Sequence, residues 1–158
     1  MKIINKTNCK KAEEFLIEKL KPYNTENLEV KMIYGDFRGG LNTGYCKYPM
    51  KEIKTKCGFT KRRYDKSGIV KITAEINKRR KLPDVEQESI STTQFPEKHC
   101  FIFNLDKEEI RNDDENMVWI LGHEVWHFLC KTKQERGNRQ TKANANGFKW
   151  LREFKTIS

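Results

Sequence analysis

Hydrophobic and polar positions alternate along the chain with two different periods. In residues 7–21 the apolar positions recur every three or four residues, which predicts an amphipathic helix that ends at Pro22. In residues 28–34 and 68–76 polar and apolar side chains alternate one by one, and the second segment is rich in β-branched residues. Because successive side chains of a strand point to opposite faces, both segments predict half-buried strands.

The middle of the chain contains weaker patterns of the same kind. Residues 44–48 and 99–105 predict two more strands. Residues 82–97 contain two prolines and mostly polar side chains, so they predict an irregular loop.

The last third of the chain predicts two helices. The run Asn-Asp-Asp-Glu at 112–115 resembles a capping box and precedes an apolar stretch, which predicts a helix over 113–130. A charged turn separates it from a final predicted helix over 139–155. Helices segregated from several strands indicate an α+β fold with a mostly antiparallel or mixed sheet. A length of 158 residues fits one domain over 1–158.

The longer of these helices contains the sequence H-E-x-x-H, formed by His123, Glu124 and His127. Residues four apart lie on one face of a helix, so both imidazoles can reach one Zn²⁺ while Glu124 stands beside the remaining coordination positions. A metal lowers the pKa of its bound water, and a neighbouring carboxylate can take the proton. The pattern therefore predicts metal-dependent hydrolysis, with Glu124 as general base.

A catalytic zinc site normally has three protein ligands, so two histidines are not enough. On the last helix, counting back from Leu151 and Phe148 at helical spacing reaches Asn144, which should face the metal helix. Gly147 would let the two helices approach closely. Asn144 is thus a candidate third ligand through its amide oxygen, although an asparagine that only hydrogen-bonds across the helix interface is an equally good interpretation.

Three other residues are weaker candidates for completing the site. Cys130 follows His127 on the same helical stripe, Glu135 lies in the adjacent turn, and His99 begins the strand before the metal helix. A third ligand from the same helix would be strained, so a small buried thiol is the better interpretation of Cys130.

The combination of this motif with the final helix resembles the zincin metallopeptidases. The sequence Asn-Ala-Asn-Gly-Phe at 144–148 is similar to the tail of the Glu-Ala-Asn-x-Phe pattern of the repressor-cleaving ImmA/IrrE peptidases, and Phe-Lys-Trp at 148–150 resembles the ending found in SprT-like proteases. Both resemblances imply a small zincin-like domain, a bound zinc ion, a protein or peptide substrate and a third ligand at position 144. Both families have a different residue there.

Positive charge is concentrated in one segment. The chain has a formal net charge of +10, and between Lys47 and Lys81 thirteen Lys or Arg stand against Glu52, Asp65 and Glu75. Such a segment predicts a surface for a polyanion, DNA first among the candidates, although it also fits an ordinary solvated surface. Aromatic residues that could stack on bases are interleaved with these cations: Tyr45, Tyr48, Phe59 and Tyr64.

The sequence contains no pattern of a signal peptide or a membrane span, and its five cysteines are scattered and odd in number. These features predict reduced thiols in a cytoplasmic or nucleoid-associated protein that is not secreted.

Two functional hypotheses follow. The first is a zinc peptidase of the SprT-like kind that acts on DNA-associated proteins, with the substrate added as a strand along an exposed sheet edge, for which residues 101–105 are the candidate. The second is a non-catalytic module on the same scaffold that binds nucleic acid or protein. An ImmA/IrrE-type peptidase is a third, weaker alternative.

Overall fold

The computed structural model describes residues 1–158 and contains three helices and eight strands, which confirms the predicted α+β class. The strands are β1 (Lys2–Asn5), β2 (Leu28–Gly35), β3 (Asn42–Lys47), β4 (Met50–Lys54), β5 (Thr60–Tyr64), β6 (Val70–Asn77), β7 (Asp84–Phe95) and β8 (Cys100–Ile110). The helices are α1 (Lys10–Leu20), α2 (Asp113–Lys131) and α3 (Gln140–Ile157), with a 3₁₀ turn at Pro96–Lys98.

Four strands form the main sheet in the order β1-β2-β6-β3. The first three run parallel to one another and β3 runs antiparallel to β6, so the sheet is mixed. Buried and half-exposed positions alternate along β2, as the sequence pattern predicted. Because β3 pairs with β6 on one side only, its other edge is free.

All three helices contribute to one hydrophobic cluster with β2 and β6, and α2 packs against both β6 and β3. Helices α2 and α3 approach closely, because a Cβ at Gly122 would lie 3.0 Å from the Cα of Gly147, and one at Gly147 would lie 3.0 Å from the Trp119 carbonyl oxygen. The close approach expected at Gly147 is therefore confirmed. It places the first turns of α3 directly over the middle of α2.

Two ribbons lie outside the main sheet, and of their four strands the sequence patterns predicted one, the strand expected over 99–105, which is part of β8. The prediction of a loop over 82–97 is wrong, because β7 runs through most of that segment and pairs antiparallel with β8. Its prolines, Pro83 and Pro96, flank the strand instead of interrupting it. The second ribbon, β4–β5, is exposed along most of its length and therefore has no hydrophobic alternation that would reveal it.

The candidate substrate edge at residues 101–105 also needs correction. This segment belongs to β8, whose only strand partner is β7, and it is not an edge of the main sheet. Its apolar side chains are more than half exposed, with values from 54% for Phe103 to 58% for Leu105. The strand edge beside α2 is β3 instead.

All five cysteines are free. None of the three helices has the length and apolar character needed to cross a membrane.

Candidate metal centre

Helix α2 presents both motif histidines from one face. The helix begins at an N-cap, Asn112, whose side-chain oxygen accepts a hydrogen bond from the Glu115 backbone N–H at 3.0 Å, and acidic residues fill its first turn. One turn apart in the middle of the helix, His123 and His127 direct their rings towards each other, with 3.3 Å between the two Nε2 atoms. His123 is buried and His127 is half-buried.

The spacing of these nitrogens tests whether they fit a single ion. Two nitrogens that each lie about 2.0–2.1 Å from a tetrahedral zinc are about 3.3–3.4 Å apart. The observed separation of 3.3 Å is that distance. The spacing of His123 and His127 is therefore that of two ligands of a common ion.

The His127 ring is also oriented for this role. Its Nδ1 lies 2.7 Å from the side-chain oxygen of Asn138, an acceptor that can hold a proton on Nδ1 and leave the Nε2 lone pair for a metal. This is the tautomer that a metal-binding imidazole needs at Nε2. His123 lacks such a partner, because its Nδ1 is buried and has no hydrogen bond.

Two amide side chains on α3 face the pair of imidazoles. Gln140 Oε1 lies 3.2 Å from His127 Nε2. Asn144, buried as predicted, donates from Nδ2 to the Ser89 carbonyl oxygen at 2.9 Å, which fixes its amide plane. Burial, followed by the nearby His127, lowers the pKa of His123 to about 4, and hydrogen bonds with Asn144 and Gln140 act in the opposite direction.

The other candidate ligands do not join this centre. No three His, Cys, Asp or Glu side chains are grouped so that they could hold one ion, so Cys130 does not stand with the two imidazoles. Glu135 accepts a hydrogen bond from the Tyr23 hydroxyl at 3.0 Å. His99 lies at the turn between β7 and β8, with φ of 50°. The donors that remain beside the imidazoles are the amide oxygens of Asn144 and Gln140.

Glu124 stands beside this centre, against the edge strand β3 of the main sheet. Its Oε1 is 4.0 Å from His123 Nε2, only 6% of the residue is exposed, and burial raises the pKa of its carboxyl group to about 7. Strand β3 passes so close that a Cβ at Gly44 would lie 2.7 Å from Glu124 Oε1. Only glycine at position 44 leaves room for the Glu124 carboxylate.

An open cleft of about 240 Å³ exposes these groups. It is lined by the start of β3, the middle of α2, the first turns of α3 and one residue of β7. Its lining includes one carboxylate that the sequence patterns missed, Glu88, and two missed amides, Asn42 and Gln140. Gln140 could have been found, because it precedes Asn144 by one helical turn. Glu88 could not, because its strand was predicted to be a loop.

Comparison with protein-family models, with curated proteins and with solved structures finds no match to this chain.

Proposed function

We propose that the chain is a zinc-dependent peptidase with a zincin-like arrangement, in which His123 and His127 hold the metal and the amide oxygen of Asn144 completes the protein ligands. The observation that carries this proposal is the 3.3 Å separation of the two Nε2 atoms, with a buried carboxylate beside them. Gln140 provides a further oxygen at 3.2 Å from His127. These donors are two imidazoles and neutral amides. Zinc binds to such a set, but less strongly than to a site whose third ligand is a charged group.

Bound zinc would supply Lewis-acid chemistry, polarising the scissile carbonyl and making a water molecule more acidic. Glu124 removes a proton from the attacking water and transfers it to the leaving amine. Asn138 keeps the His127 ring in the required tautomer. Helix α3 excludes solvent from one side of the centre, since Asn144 is buried against Ser89.

The free edge of β3 supports a peptide as the substrate. Residues Asn42, Thr43 and Gly44 of this strand line the cleft, and Gly44 lies against Glu124. An extended peptide that adds itself to the edge would satisfy the unpaired backbone groups and bring its own backbone next to the carboxylate.

Replacing Asn144 with Asp tests its place among the ligands. We expect zinc affinity to rise about tenfold or more, because a carboxylate at the ligand position adds a negative charge beside the ion, which contributes at least on the order of 1–4 kcal/mol at a partly buried site. Gln94→Glu adds the same charge on the exposed part of β7 and serves as the control. Competition with a chromophoric chelator measures both affinities, and an unchanged value for Asn144→Asp argues against ligation at this position.

Replacing Gly44 with Ala tests the position of the general base. The added Cβ forces the Glu124 carboxylate to move, and a displacement of about 1 Å can cost on the order of 100-fold in rate. We expect lower kcat for peptide hydrolysis with unchanged zinc content. Lys47→Ala, at the other end of the same strand, is the control. Full activity in Gly44→Ala would show that the position of Glu124 is not critical.

The β4–β5 ribbon supports binding to nucleic acid as a second function. The cations of this ribbon are exposed and form no ion pair. Phe59, in the turn between the two strands, is 73% exposed. Unpaired cations around an exposed aromatic ring suit a single strand, whose phosphates are neutralised while a base stacks. The ribbon cations are Lys51, Lys54, Lys56, Lys61, Arg62 and Arg63.

The ribbon is attached close to the metal centre. Tyr64 at its end packs against Tyr48, and Lys131 of α2 lies over both rings, 5.0 Å and 5.1 Å from their centroids. Tyr48 also donates a hydrogen bond to the His127 carbonyl oxygen at 3.4 Å. A nucleic acid held by the ribbon would thus lie near the proposed site of hydrolysis, as expected for a protease that acts on DNA-associated proteins.

A triple substitution of Lys61, Arg62 and Arg63 with Gln tests this second function. We expect weaker binding to single-stranded DNA and a salt dependence of log K that is less steep by about 2, since each lost phosphate contact removes about 0.7 from the slope. The control replaces Lys6, Lys10 and Lys11, which are exposed at the other end of the chain, and changes net charge equally. Equal losses in the two variants would assign the binding to net charge alone.

A further inference from the structure

On one face of the β7–β8 ribbon, four carboxylates form two directly opposed pairs. Glu86 lies opposite Glu108 in the register, and Glu88 lies opposite Asp106. Residues directly opposite each other in an antiparallel pair project to the same side, so the four groups share the side that meets α3. Like charges in such positions destabilise a ribbon unless cations compensate them.

Cations compensate three of the four groups. Arg80 holds Glu86 at 2.8 Å in a pair that is almost completely buried. Arg152 of α3 binds Asp106 at 2.7 Å and Glu108 at 3.0 Å, and Lys155 adds a further contact with Glu108.

Glu88 has no such partner. It forms no ion pair, and the charged group within hydrogen-bonding reach is another carboxylate, Glu86. Glu88 is half-buried and lines the cleft that contains His123 and Glu124. It is not grouped with the two imidazoles in a way that could hold an ion. Its carboxylate therefore lines the space that a substrate would occupy.

We infer that Glu88 is a specificity residue that binds a Lys or Arg side chain of the substrate next to the bond that is cleaved. This inference rests on the proposed peptidase function. A carboxylate without a counter-ion in a half-buried cleft is poorly solvated, and a cationic side chain relieves that cost when it enters. Strand β3 and Glu88 both line the cleft, so a peptide paired with β3 can direct alternate side chains into the space beside Glu88.

Pairs of blocked peptides test the inference with the zinc-loaded full chain. The two peptides of a pair are acetylated and amidated, and they differ only in having Arg or Gln at one position, which is scanned along the peptide. We expect kcat/KM of the unsubstituted protein to favour Arg roughly 10- to 100-fold at one position, the range of a hydrogen bond to a charged group. In Glu88→Gln this ratio falls to about one, and in Glu88→Lys a peptide with Glu at the same position becomes the better substrate. Glu97→Gln, in the turn of the same ribbon, keeps the original ratio.

Three results would overturn the inference. The first is a preference for Arg that persists in Glu88→Gln. The second is a tenfold loss of zinc affinity in that variant, which would make Glu88 a metal ligand. The third is a preference seen only with peptides that have a free amino terminus, which would assign the recognition to the α-ammonium group.

Binding measurements separate this inference from the peptidase proposal. If the zinc-loaded protein cleaves none of the peptides, the proposed function fails, and fluorescence polarisation of the labelled Arg and Gln peptides tests Glu88 alone. A preference for Arg that Glu88→Gln removes supports the inference. Equal binding of the two peptides by the unsubstituted protein contradicts it.

Discussion

Replacing Glu124 with Gln lowers the rate of peptide hydrolysis by about 10²–10⁴-fold, the usual contribution of a positioned general base. The amide has nearly the same shape as the carboxylate, so it can occupy the position beside Gly44 and 4.0 Å from His123 Nε2. It cannot accept the proton of the attacking water. Zinc content stays the same, because Glu124 is not among the proposed ligands.

Initial rates of peptide cleavage and metal analysis of the same protein samples measure these two quantities. Glu135→Gln removes a carboxylate that is bound to Tyr23 outside the centre, and it serves as the matched control with unchanged rate. A fully active Glu124→Gln protein would contradict the mechanism. Loss of zinc in that variant would instead make Glu124 a ligand.

Replacing His127 with Ala removes zinc and hydrolysis together. Loss of the hydrogen-bonding partner of a ligand typically costs 10–100-fold in metal affinity, so loss of the ligand itself should cost more than about 100-fold. Asn138→Ala should therefore have an intermediate effect, because it removes only the acceptor for His127 Nδ1.

Dialysis of the variants against graded chelator concentrations, followed by elemental analysis, gives the order of affinities. His127 is half-buried and lies outside the hydrophobic cluster, so its replacement should leave the circular dichroism spectrum unchanged. Stoichiometric zinc in His127→Ala would place the ion elsewhere on the chain.

The sequence predicted best those elements whose signal is local. The cap at Asn112 and the apolar run after it located α2 to within a residue at each end, and Phe148 with Leu151 fixed the inward side of α3. The relative position of the two histidines could be predicted without the tertiary structure, because residues one helical turn apart lie on the same face of a helix. The inward position of Asn144 followed from the same periodicity.

Elements outside the core were predicted poorly for a physical reason. Ribbon β7–β8 is largely exposed, so β7 lacks the alternation that burial of one face produces, and only the part of β8 within residues 99–105 was predicted as a strand. The place of Glu88 in the cleft depends on pairing between distant strands and on contact with α3, and no local pattern encodes either. The free edge beside Glu124 was assigned to the wrong strand, because the order β1-β2-β6-β3 brings β3 next to α2.

X-ray absorption at the zinc edge tests the coordination centre most directly, with one equivalent of zinc added to the purified protein. We expect the atoms nearest to zinc to be nitrogen and oxygen at about 2.0–2.2 Å, with the scattering pattern of two imidazoles and no sulfur. In His127→Ala the imidazole signal should weaken or disappear. A sulfur ligand at about 2.3 Å, or a shell without imidazole, would contradict the centre formed by His123 and His127.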